Sequence, residues 1–515
     1  MKKIEKFNIF KERIAGPKPV DSCVKVDFIA TFSKDDKKFQ VKGFYNGNGE
    51  YVARFMPEEI GIWHYELSLK TSEPISEAGS FECVSETGNN HGPVIVNGLN
   101  FQYADGSKYI PVGTTIYAWI HQTKQLIEKT TDTLSKSPFN KVRMCVFPKS
   151  MIYNNNEPEL FPFERSSEGK WDVHQPNFEF WKHLEKQLEA LLAQGIEADL
   201  ILFHPYDRWG FSELNREDNL AYLDYCVRRL SAFRNIWWSL ANEYDMVFNK
   251  NEEDWEAFGK FISSEDKYHH LISVHNWLRV YDASKPWITH SSIQTNSFQN
   301  TKIIRDQYKK PVMIDECRYE GDIEPSWGNI SAFEMVHRFW SVMMLGGYCT
   351  HGETFHREDE VLWWAKGGEL HGQSVKRIAF LKDIMYGLDG EIQPDQGRFD
   401  INPNDTGSKS KIEAAQNNPF TEAILSLDPV AFNDVRYGMM ISYSGRHDDK
   451  YIIKYMGRAC RCFIDIELPE NGDEYSIEVI DTWEMTRVTA LARAKGKTRV
   501  KLPGKEGIAV VGIRI

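Results

Sequence analysis

The sequence lacks the patterns that indicate several other classes of protein. No run of about 18 apolar residues is present, so we expect no membrane span. No apolar segment follows the basic residues at the start, so we expect no signal peptide. Neither a Gly-x-Gly-x-x-Gly motif nor a phosphate loop occurs, which argues against a nucleotide cofactor. The net charge is −12 with acids and bases interspersed, which argues against a nucleic-acid surface.

Cysteine is sparse and its spacing indicates neither zinc fingers nor a disulfide framework. The chain has 8 cysteines in 515 residues, and the close pair Cys460 and Cys462 lacks zinc-finger spacing. We therefore expect reduced thiols in a cytoplasmic protein. His351, Glu353 and His356 are three potential metal ligands close together, but they do not form a His-Glu-x-x-His motif. We expect no catalytic metal and no other cofactor.

The order of predicted elements indicates three domains. Residues 1–92 alternate polar and apolar positions in short segments broken by turns, which is typical of an antiparallel β-sandwich. Residues 93–425 alternate apolar runs with amphipathic helices, which predicts an α/β fold, a (β/α)8 TIM barrel, ending in a polar linker at 390–425. Residues 426–515 are strand-like again and predict a C-terminal antiparallel β-sandwich.

Eight apolar segments of the central region are the predicted barrel strands. Two segments between them, at 178–193 and 220–233, carry apolar residues at helical spacing. The predicted strands are Tyr109–Thr114, Lys141–Phe147, Glu197–Phe203, Asn235–Leu240, Leu271–His275, Trp287–Ser291, Pro311–Asp315 and Gly346–Thr350.

Two glutamates follow strand-like runs in this pattern. Glu243 follows Ile-Trp-Trp-Ser-Leu-Ala-Asn, and Glu316 follows Pro-Val-Met-Ile-Asp. Chemistry in a (β/α)8 barrel takes place where the strands end, and paired carboxylates are the machinery of glycoside hydrolysis. We interpret Glu243 as the acid that protonates the leaving group, with Asn242 beside it to bind a sugar 2-hydroxyl. Glu316 is the predicted nucleophile, kept ionised by a cation such as Arg143.

The segment after the seventh predicted strand offers alternatives to Glu316. Asp315 points to the opposite side of the strand, so at most one of the two faces a pocket directly. Glu320 and Asp322 are further carboxylates, which could instead pair with Arg318 or face solvent.

Polar and aromatic side chains near the ends of other strands are candidates for substrate contact. The 15 Trp and 22 Tyr residues supply flat faces of the kind that stack on sugar rings, although large cores also contain them. The candidates are Arg143, Asn242, Trp119, His204, Tyr206, Trp209, Trp277, His290, Tyr319, His351, Glu353 and Trp364.

These motifs resemble those of retaining glycoside hydrolases of clan A. More specifically, Tyr-Ile-Pro-Val-Gly-Thr-Thr at 109–115, Asp-Glu-Cys-Arg-Tyr-Glu-Gly at 315–321 and Gly-Gly-Tyr-Cys-Thr-His-Gly at 346–352 resemble apiosidase-like bacterial glycosidases. Segments 54–65 and 480–485 are similar to the sandwiches that flank such barrels. The resemblance implies Glu243 as acid/base and Glu316 as nucleophile, with Arg143, Asn242 and His351 around the cleaved sugar. Relatives can carry Asp at the position of Glu243, so the resemblance does not fix the sugar.

We therefore expect a retaining exo-glycosidase of β-type that acts on small oligosaccharides or glycosides by double displacement. Exo action is expected because loops 148–172 and 355–371 could close one end of a cleft and bring Trp363 and Trp364 over it. The alternatives are an inverting or transglycosylating glycosidase on the same scaffold, and a catalytically silent carbohydrate-binding protein. The expected ligand is carbohydrate, with no nucleic-acid or membrane partner, and a homo-oligomer is left open.

Overall fold

The computed structural model describes residues 1–395 and 443–515, together with positions 419, 422, 423, 426–428 and 431. The chain divides into two compact units, one of residues 1–294 and 350–371 and one of residues 295–349 and 372–515. Most of the predicted linker at 390–425, the predicted domain boundary at 425 and the first residues of the predicted C-terminal sandwich lie outside the described residues.

The first unit begins with two sheets that share a core. Their strands are β1 (Lys2–Glu5), β2 (Phe10–Ala15), β3 (Phe28–Lys34), β4 (Lys37–Lys42), β5 (Phe44–Tyr45), β6 (Glu50–Phe55), β7 (Gly61–Leu69) and β8 (Ile75–Val84). The sheet orders are β1-β8-β7-β3-β4 and β2-β6-β5. Rings stack between the sheets, Phe10 on Phe81 at 3.9 Å and Phe32 on Phe55 at 4.2 Å between centroids. The predicted N-terminal sandwich is confirmed, although β1 pairs with β8 in parallel.

The central region alternates strands and helices. Its elements are β9 (Val94–Asn97), β10 (Asn100–Tyr103), β11 (Val112–Thr115), α1 (Lys124–Ser135), β12 (Lys141–Cys145), β13 (Phe163–Arg165), β14 (Trp171–Pro176), α2 (Phe178–Leu192), β15 (Glu197–Phe203), α3 (Arg216–Leu230), β16 (Ile236–Ala241), α4 (Glu252–Glu265), β17 (Ile272–Ser273), β18 (Ser291–Gln294), α5 (Thr301–Tyr308), β19 (Val312–Glu316), β20 (Glu320–Gly321), α6 (Ala332–Met344), β21 (Tyr348–His351), β22 (Glu353–Thr354), α7 (Trp363–Lys366) and α8 (Ser374–Gly387).

Eight strands between residues 112 and 351 form one sheet in the order β17-β16-β15-β12-β11-β21-β19-β18. Neighbouring strands are parallel, and Arg143 on β12 stands in register with Thr115 on β11 and Asp199 on β15. A parallel bridge joins His275 to Ser292 and so connects the ends of the sheet at β17 and β18. The predicted (β/α)8 barrel is confirmed.

The sixth predicted strand is displaced in the structure. The sequence predicts it at residues 287–291, but β18 begins at Ser291 because Trp287 belongs to a turn packed on α4. The indole nitrogen of Trp287 donates to Glu256 at 3.0 Å, and a Cβ added to Gly259 would meet its ring at 2.4 Å. His290 therefore precedes its strand and contacts the rings of Phe101 and Trp237. Its predicted position at the carboxyl end of a strand is wrong.

Both predicted helices are present, and their sequences explain where they start. Asn177 caps α2 by accepting hydrogen bonds from the backbone of Glu179 and Phe180. Apolar residues at three- and four-residue spacing turn one face of α2 into the protein. Helix α3 covers residues 220–230 of the second predicted segment, and Asn215 caps it. None of the described helices has the length and apolarity that crossing a membrane requires.

The second unit ends in two further sheets. Their strands are β23 (Gln393–Pro394), β24 (Tyr443–His447), β25 (Tyr451–Tyr455), β26 (Phe463–Glu467), β27 (Tyr475–Asp481), β28 (Thr486–Ala494), β29 (Lys497–Lys501) and β30 (Ile508–Arg514). Among the described residues, β23-β24-β25-β30-β27-β28 form one sheet and β26-β29 another. Ile466 and Val500 from the smaller sheet share a buried cluster with Ile477 and Val510 from the larger one. The predicted C-terminal sandwich is confirmed.

A buried ion-pair network links the N-terminal sandwich to the barrel helices of the first unit. Glu185 on α2 accepts from Arg54 on β6 at 2.6 Å and from Arg229 on α3 at 2.7 Å. Burial alone would raise the pKa of Glu185, but the two guanidinium charges outweigh it and hold the pKa at about 2. The carboxylate is therefore ionised wherever the protein is folded under ordinary conditions.

Glu185→Gln is expected to lower the free energy of unfolding by about 3–5 kcal/mol at pH 7, because two buried guanidinium groups lose their counter-charge. The folded pKa lies below the unfolded one of about 4.3, so the contribution is complete above pH 4.3 and disappears as the pH falls towards 2. Urea unfolding at several pH values measures both effects. Glu168→Gln, which breaks an exposed pair with Lys170, is the matched control and should change stability by less than about 0.5 kcal/mol. A difference that stays constant down to pH 2 would contradict the assignment.

Candidate active site

Glu243 follows the buried fourth barrel strand in a strained backbone conformation. Every residue of β16 is buried, and Glu243 has φ 49° and ψ 56°, in the left-handed region. For a residue with a side chain this conformation costs about 1–3 kcal/mol, and such strain is concentrated at functional sites. The end of the fifth strand holds it in place. The N–H of Glu243 donates to His275 Nδ1 at 3.3 Å, and the N–H of Tyr244 donates to the His275 carbonyl at 2.9 Å.

The carboxylate of Glu243 is buried, with 4% of the residue exposed. The hydroxyl of Tyr206 donates a hydrogen bond to Glu243 Oε2. Tyr206 lies just beyond the end of β15, so two neighbouring strands of the barrel supply the two partners. The bond restricts the rotation of the carboxyl group.

Asn242 is fixed through its side-chain oxygen. Asn242 Oδ1 accepts from Arg143 Nη2 at 2.9 Å and from the Tyr117 hydroxyl at 3.3 Å. Two donors on one oxygen define which way the amide faces. The buried Asn242 Nδ2 makes no hydrogen bond to any described residue. A donor pair is therefore available for a ligand.

Arg143 projects from β12 into the barrel interior. Its Nη1 donates to Ser292 Oγ at 3.2 Å and lies 3.9 Å from Asp199 Oδ2. Asp199 also forms a 2.7 Å ion pair with Lys141, and both of these side chains are fully buried. These fixed charges hold the guanidinium rigidly, and Arg143 in turn orients Asn242.

A lysine and three aromatic rings lie beside these groups. The ammonium of Lys149 is 3.4 Å from the ring centroid of Tyr117, 4.3 Å from that of Tyr206 and 5.4 Å from that of Trp364. The backbone N–H of Tyr117 donates to the Trp364 carbonyl at 3.0 Å, which attaches the α7 segment to the loop after β11. The predicted contact residues Tyr206 and Trp364 are thus brought together with Asn242 and Glu243.

In the second unit, Glu316 is the last residue of β19 and is half-buried. Its carbonyl accepts from the N–H of Thr295 at 2.9 Å. Asp315, the residue before it, is fully buried. The ring of the predicted contact residue Tyr319 packs edge-on against Trp327, with 6.0 Å between centroids.

Glu320, the alternative to Glu316 as nucleophile, binds backbone N–H groups at the start of α8. Its two carboxylate oxygens accept from the backbone N–H of Gln373 at 2.8 Å and of Ser374 at 3.2 Å. A carboxylate at this end of α8 satisfies unpaired donors and complements the helix dipole. The geometry gives Glu320 a structural task.

The comparisons with known proteins agree with this geometry. Residues 96–389 match the family described as "Apiosidase-like, catalytic domain". The chain belongs to the apiosidase-like family. Residues 3–70 and 440–512 match two domains of unknown function, DUF5060 and DUF5605. No curated protein sequence matches the chain.

This apiosidase-like chain is also similar to solved structures of glycoside hydrolases. A candidate glycoside hydrolase from Bacteroides vulgatus ATCC 8482 is 31% identical with a TM-score of 0.85, covering 100% of both chains. A family 5 glycoside hydrolase from the same organism is 15% identical with a TM-score of 0.59, covering 82% of this chain and 93% of its own. A third glycoside hydrolase is 12% identical with a TM-score of 0.57, covering 82% and 97%. The latter two share the fold, and the apiosidase-like chain is a glycoside hydrolase.

His204 and Trp209 line the loop that follows β15 in the apiosidase-like barrel. His204 Nε2 donates to the Phe147 carbonyl at 3.2 Å, so Nδ1 is left as an acceptor. Burial and the nearby charge of Lys149 lower the pKa of His204 to about 4, which keeps the ring neutral. Trp209 is half-buried, and its indole nitrogen donates to Glu157 at 2.9 Å.

Two predicted contact residues lie elsewhere. Trp119 is fully buried, and its indole nitrogen donates to the sulfur of Met144 at 3.4 Å, so the ring belongs to the core. Trp277 is exposed, and its backbone N–H donates to Asp245 at 2.6 Å. These contacts differ from that of Tyr206 with Glu243, and sequence position alone does not separate the three residues.

His351 lies on the outer face of the barrel wall. Arg143 and its register partner Thr115 face inward, so Thr114 faces outward by strand alternation. His351 Nδ1 lies 3.2 Å from the hydroxyl of Thr114, and its ring stacks on Phe139 at 4.8 Å. Burial lowers the pKa of His351 to about 3, so the ring is neutral. The structure places His351 against Thr114 and Phe139.

Glu353 lies beside His351, with 3.9 Å between Glu353 Oε1 and His351 Nε2. The other oxygen of Glu353 accepts from the N–H of His371 at 2.7 Å. His351 and Glu353 are the residues of the first unit that could hold a metal ion at this segment.

Sequence reasoning missed Lys149. The residue follows Pro148 just beyond the second strand, which is a position where barrel enzymes place functional side chains. This position in the sequence is the signal that could have identified Lys149 as a site residue. Its aromatic partners come from three other loops, and the sequence does not show that they meet.

Proposed function

We propose that this glycoside hydrolase is a retaining, exo-acting β-glycosidase that cleaves small oligosaccharides or glycosides by double displacement. The observation that carries the proposal is the pair Asn242 and Glu243 at the end of β16. The acid is buried, bonded to Tyr206 and held in a strained conformation. The amide beside it is locked by Arg143 and has a donor to offer.

In the proposed first step, Glu316 attacks the anomeric carbon while the bond to the leaving oxygen breaks. Glu243 gives its proton to that oxygen, and a covalent glycosyl-enzyme results. In the second step, the Glu243 carboxylate takes a proton from water, and the water oxygen attacks the anomeric carbon. The sugar leaves with its original configuration and Glu316 is regenerated. Tyr206 supports this step because its hydroxyl hydrogen bond restricts the rotation of the Glu243 carboxyl group.

Exo action is proposed from the two loops that border the strand ends. The loop at 148–172 carries the hairpin strand β13, and the loop at 355–371 carries α7 with Trp363 and Trp364. Within the first unit, Trp364 approaches Tyr117 at 5.9 Å between centroids. Loops that close one end of the cleft in this way suit a pocket for one terminal sugar.

A cytoplasmic location is part of the proposal, favoured by eight free thiols in the described residues. Carbohydrate is the proposed ligand, and self-association is a further proposal that light scattering tests.

A panel of aryl α- and β-glycosides tests this function. We expect release of phenol from a β-glycoside, with the first-formed sugar shown by NMR to keep its anomeric configuration. Inverted product would favour the single-displacement alternative, and new glycosides formed at high substrate concentration would favour transglycosylation. Sugar binding without turnover of any substrate would favour a silent binding protein.

Asn242→Ala is expected to lower kcat/KM about 10²- to 10³-fold, because a preorganised donor to the 2-hydroxyl acts mainly in the transition state. The measurement compares a glycoside with its 2-deoxy analogue. On the 2-deoxy substrate, wild type and variant should differ by less than about threefold, since the partner hydroxyl is missing. An equal loss on both substrates would show that Asn242 acts in another way.

A further inference from the structure

Lys149 is a buried cation enclosed by the rings of the site. Only 4% of the residue is exposed. Its ammonium lies 3.4 Å from the ring centroid of Tyr117 and 4.3 Å from that of Tyr206, within the range of strong cation–π attraction. Removing an ammonium from water is costly, so a lysine held here needs a compensating task or compensating contacts.

The two rings nearest to Lys149 are those whose hydroxyls hold the catalytic pair. Tyr117 donates to Asn242 Oδ1 at 3.3 Å, and Tyr206 donates to Glu243 Oε2. Each hydroxyl lies at the tip of its ring, so its direction depends on the contacts that the ring faces make. A cation between the two faces restricts both rings together, so each hydroxyl stays aimed at its acceptor.

The backbone around Lys149 is also tied to these residues. The Lys149 carbonyl accepts from the side-chain amide of Asn154. The N–H of the next residue, Ser150, donates to the Tyr206 carbonyl at 2.8 Å. A backbone hydrogen bond therefore joins the loop after β12 to the loop after β15 directly beside Lys149.

We propose that Lys149 is a positioning residue, whose ammonium holds Tyr117 and Tyr206 so that their hydroxyls orient Asn242 and Glu243. This inference rests on the proposed role of Glu243 as acid/base. It predicts that the loss of Lys149 harms proton transfer more than sugar binding.

Lys149→Met tests the proposal because methionine fills similar space without charge. We expect kcat/KM to fall about 10- to 100-fold on an unsubstituted phenyl glycoside, whose leaving group needs a proton from Glu243. On a 2,4-dinitrophenyl glycoside, which leaves unaided, kcat/KM should fall less than about threefold. KM should stay within about threefold for both substrates. A loss that is equal on the two leaving groups would overturn the proposal.

A mutant cycle with both phenols removed separates positioning from general packing. If Lys149 acts through Tyr117 and Tyr206, adding Lys149→Met to the variant Tyr117→Phe/Tyr206→Phe should slow that variant by no more than about twofold. Multiplying losses would overturn the proposal. Lys382→Met is the matched control, since its ammonium lies 5.9 Å from the ring centroid of Tyr386 on α8. It should leave the kinetics unchanged.

A crystal structure of the Lys149→Met protein tests the same proposal without turnover. We expect the Tyr206 hydroxyl to have moved out of hydrogen-bonding distance of Glu243, and an unmoved hydroxyl would overturn the positioning role. Lys149→Gln is the second neutral variant for the case that methionine prevents folding. Failure of wild type to hydrolyse any glycoside would count against the proposed function, while the crystal structure would still decide on Lys149.

Discussion

Replacing Glu316 with alanine is expected to abolish turnover and to leave the protein folded. Alanine offers no oxygen to attack the anomeric carbon, so the covalent intermediate cannot form and the double displacement stops at its first step. Loss of a nucleophile typically lowers kcat by about 10⁴-fold or more. The measurement is phenol release from the best aryl glycoside of the panel, with the thermal unfolding midpoint recorded on the same preparation. Because Glu316 is half-buried at the end of β19, the midpoint should change little.

Chemical rescue makes the prediction specific to a nucleophile. Azide can enter the space left by the carboxylate and attack the anomeric carbon, which should restore turnover and give a glycosyl azide of inverted configuration. Glu320→Ala is the matched control, because the carboxylate of Glu320 caps α8 and should affect stability instead of chemistry. More than about a tenth of wild-type activity in Glu316→Ala would refute the assignment. Loss of activity in Glu320→Ala at unchanged stability would transfer the role to Glu320.

The barrel could be predicted because its strands are buried on both faces. The run Ile236–Ala241 is apolar or small throughout, and a segment of that kind flanked by amphipathic helices fits a parallel sheet. Trp287 shows the limit of this argument. Trp287 packs on α4 from a turn, and the short segment Trp-Ile-Thr-His-Ser at 287–291 does not distinguish a strand from such a turn. The sixth strand was therefore predicted four residues too early, and His290 was wrongly predicted to lie at its carboxyl end.

The roles of the aromatic residues could be predicted only in part. Trp119 and Tyr206 both follow barrel strands, yet one ring is core and the other bonds to Glu243. The difference arises from the direction of each side chain after its strand ends, which depends on loop conformation and not on the order of residues. Lys149 belongs to the same class of problem, because its site is formed by loops distant in sequence.

Glu243→Gln is expected to lower kcat/KM on an unsubstituted phenyl glycoside by about 10²- to 10⁴-fold, the usual contribution of a general acid. Glutamine preserves the size of the side chain and can still accept from Tyr206, so the loss reports on the missing proton. On a 2,4-dinitrophenyl glycoside the first step needs no proton and should remain fast. The second step still needs a base, so the glycosyl-enzyme should accumulate and appear as a burst of phenol equal to the enzyme concentration.

Azide should then relieve the block at the second step, because an anion attacks the intermediate without help from a base. The expected product is a glycosyl azide that retains the substrate configuration, opposite to the product from Glu316→Ala. The two variants therefore distinguish acid/base from nucleophile by stereochemistry as well as by rate. Glu253→Gln, an exposed substitution on α4, is the matched control and should behave as wild type. An equal loss on both leaving groups, with no burst, would show that Glu243 does not transfer the proton, and the mechanism would have to be assigned to other carboxylates of the barrel.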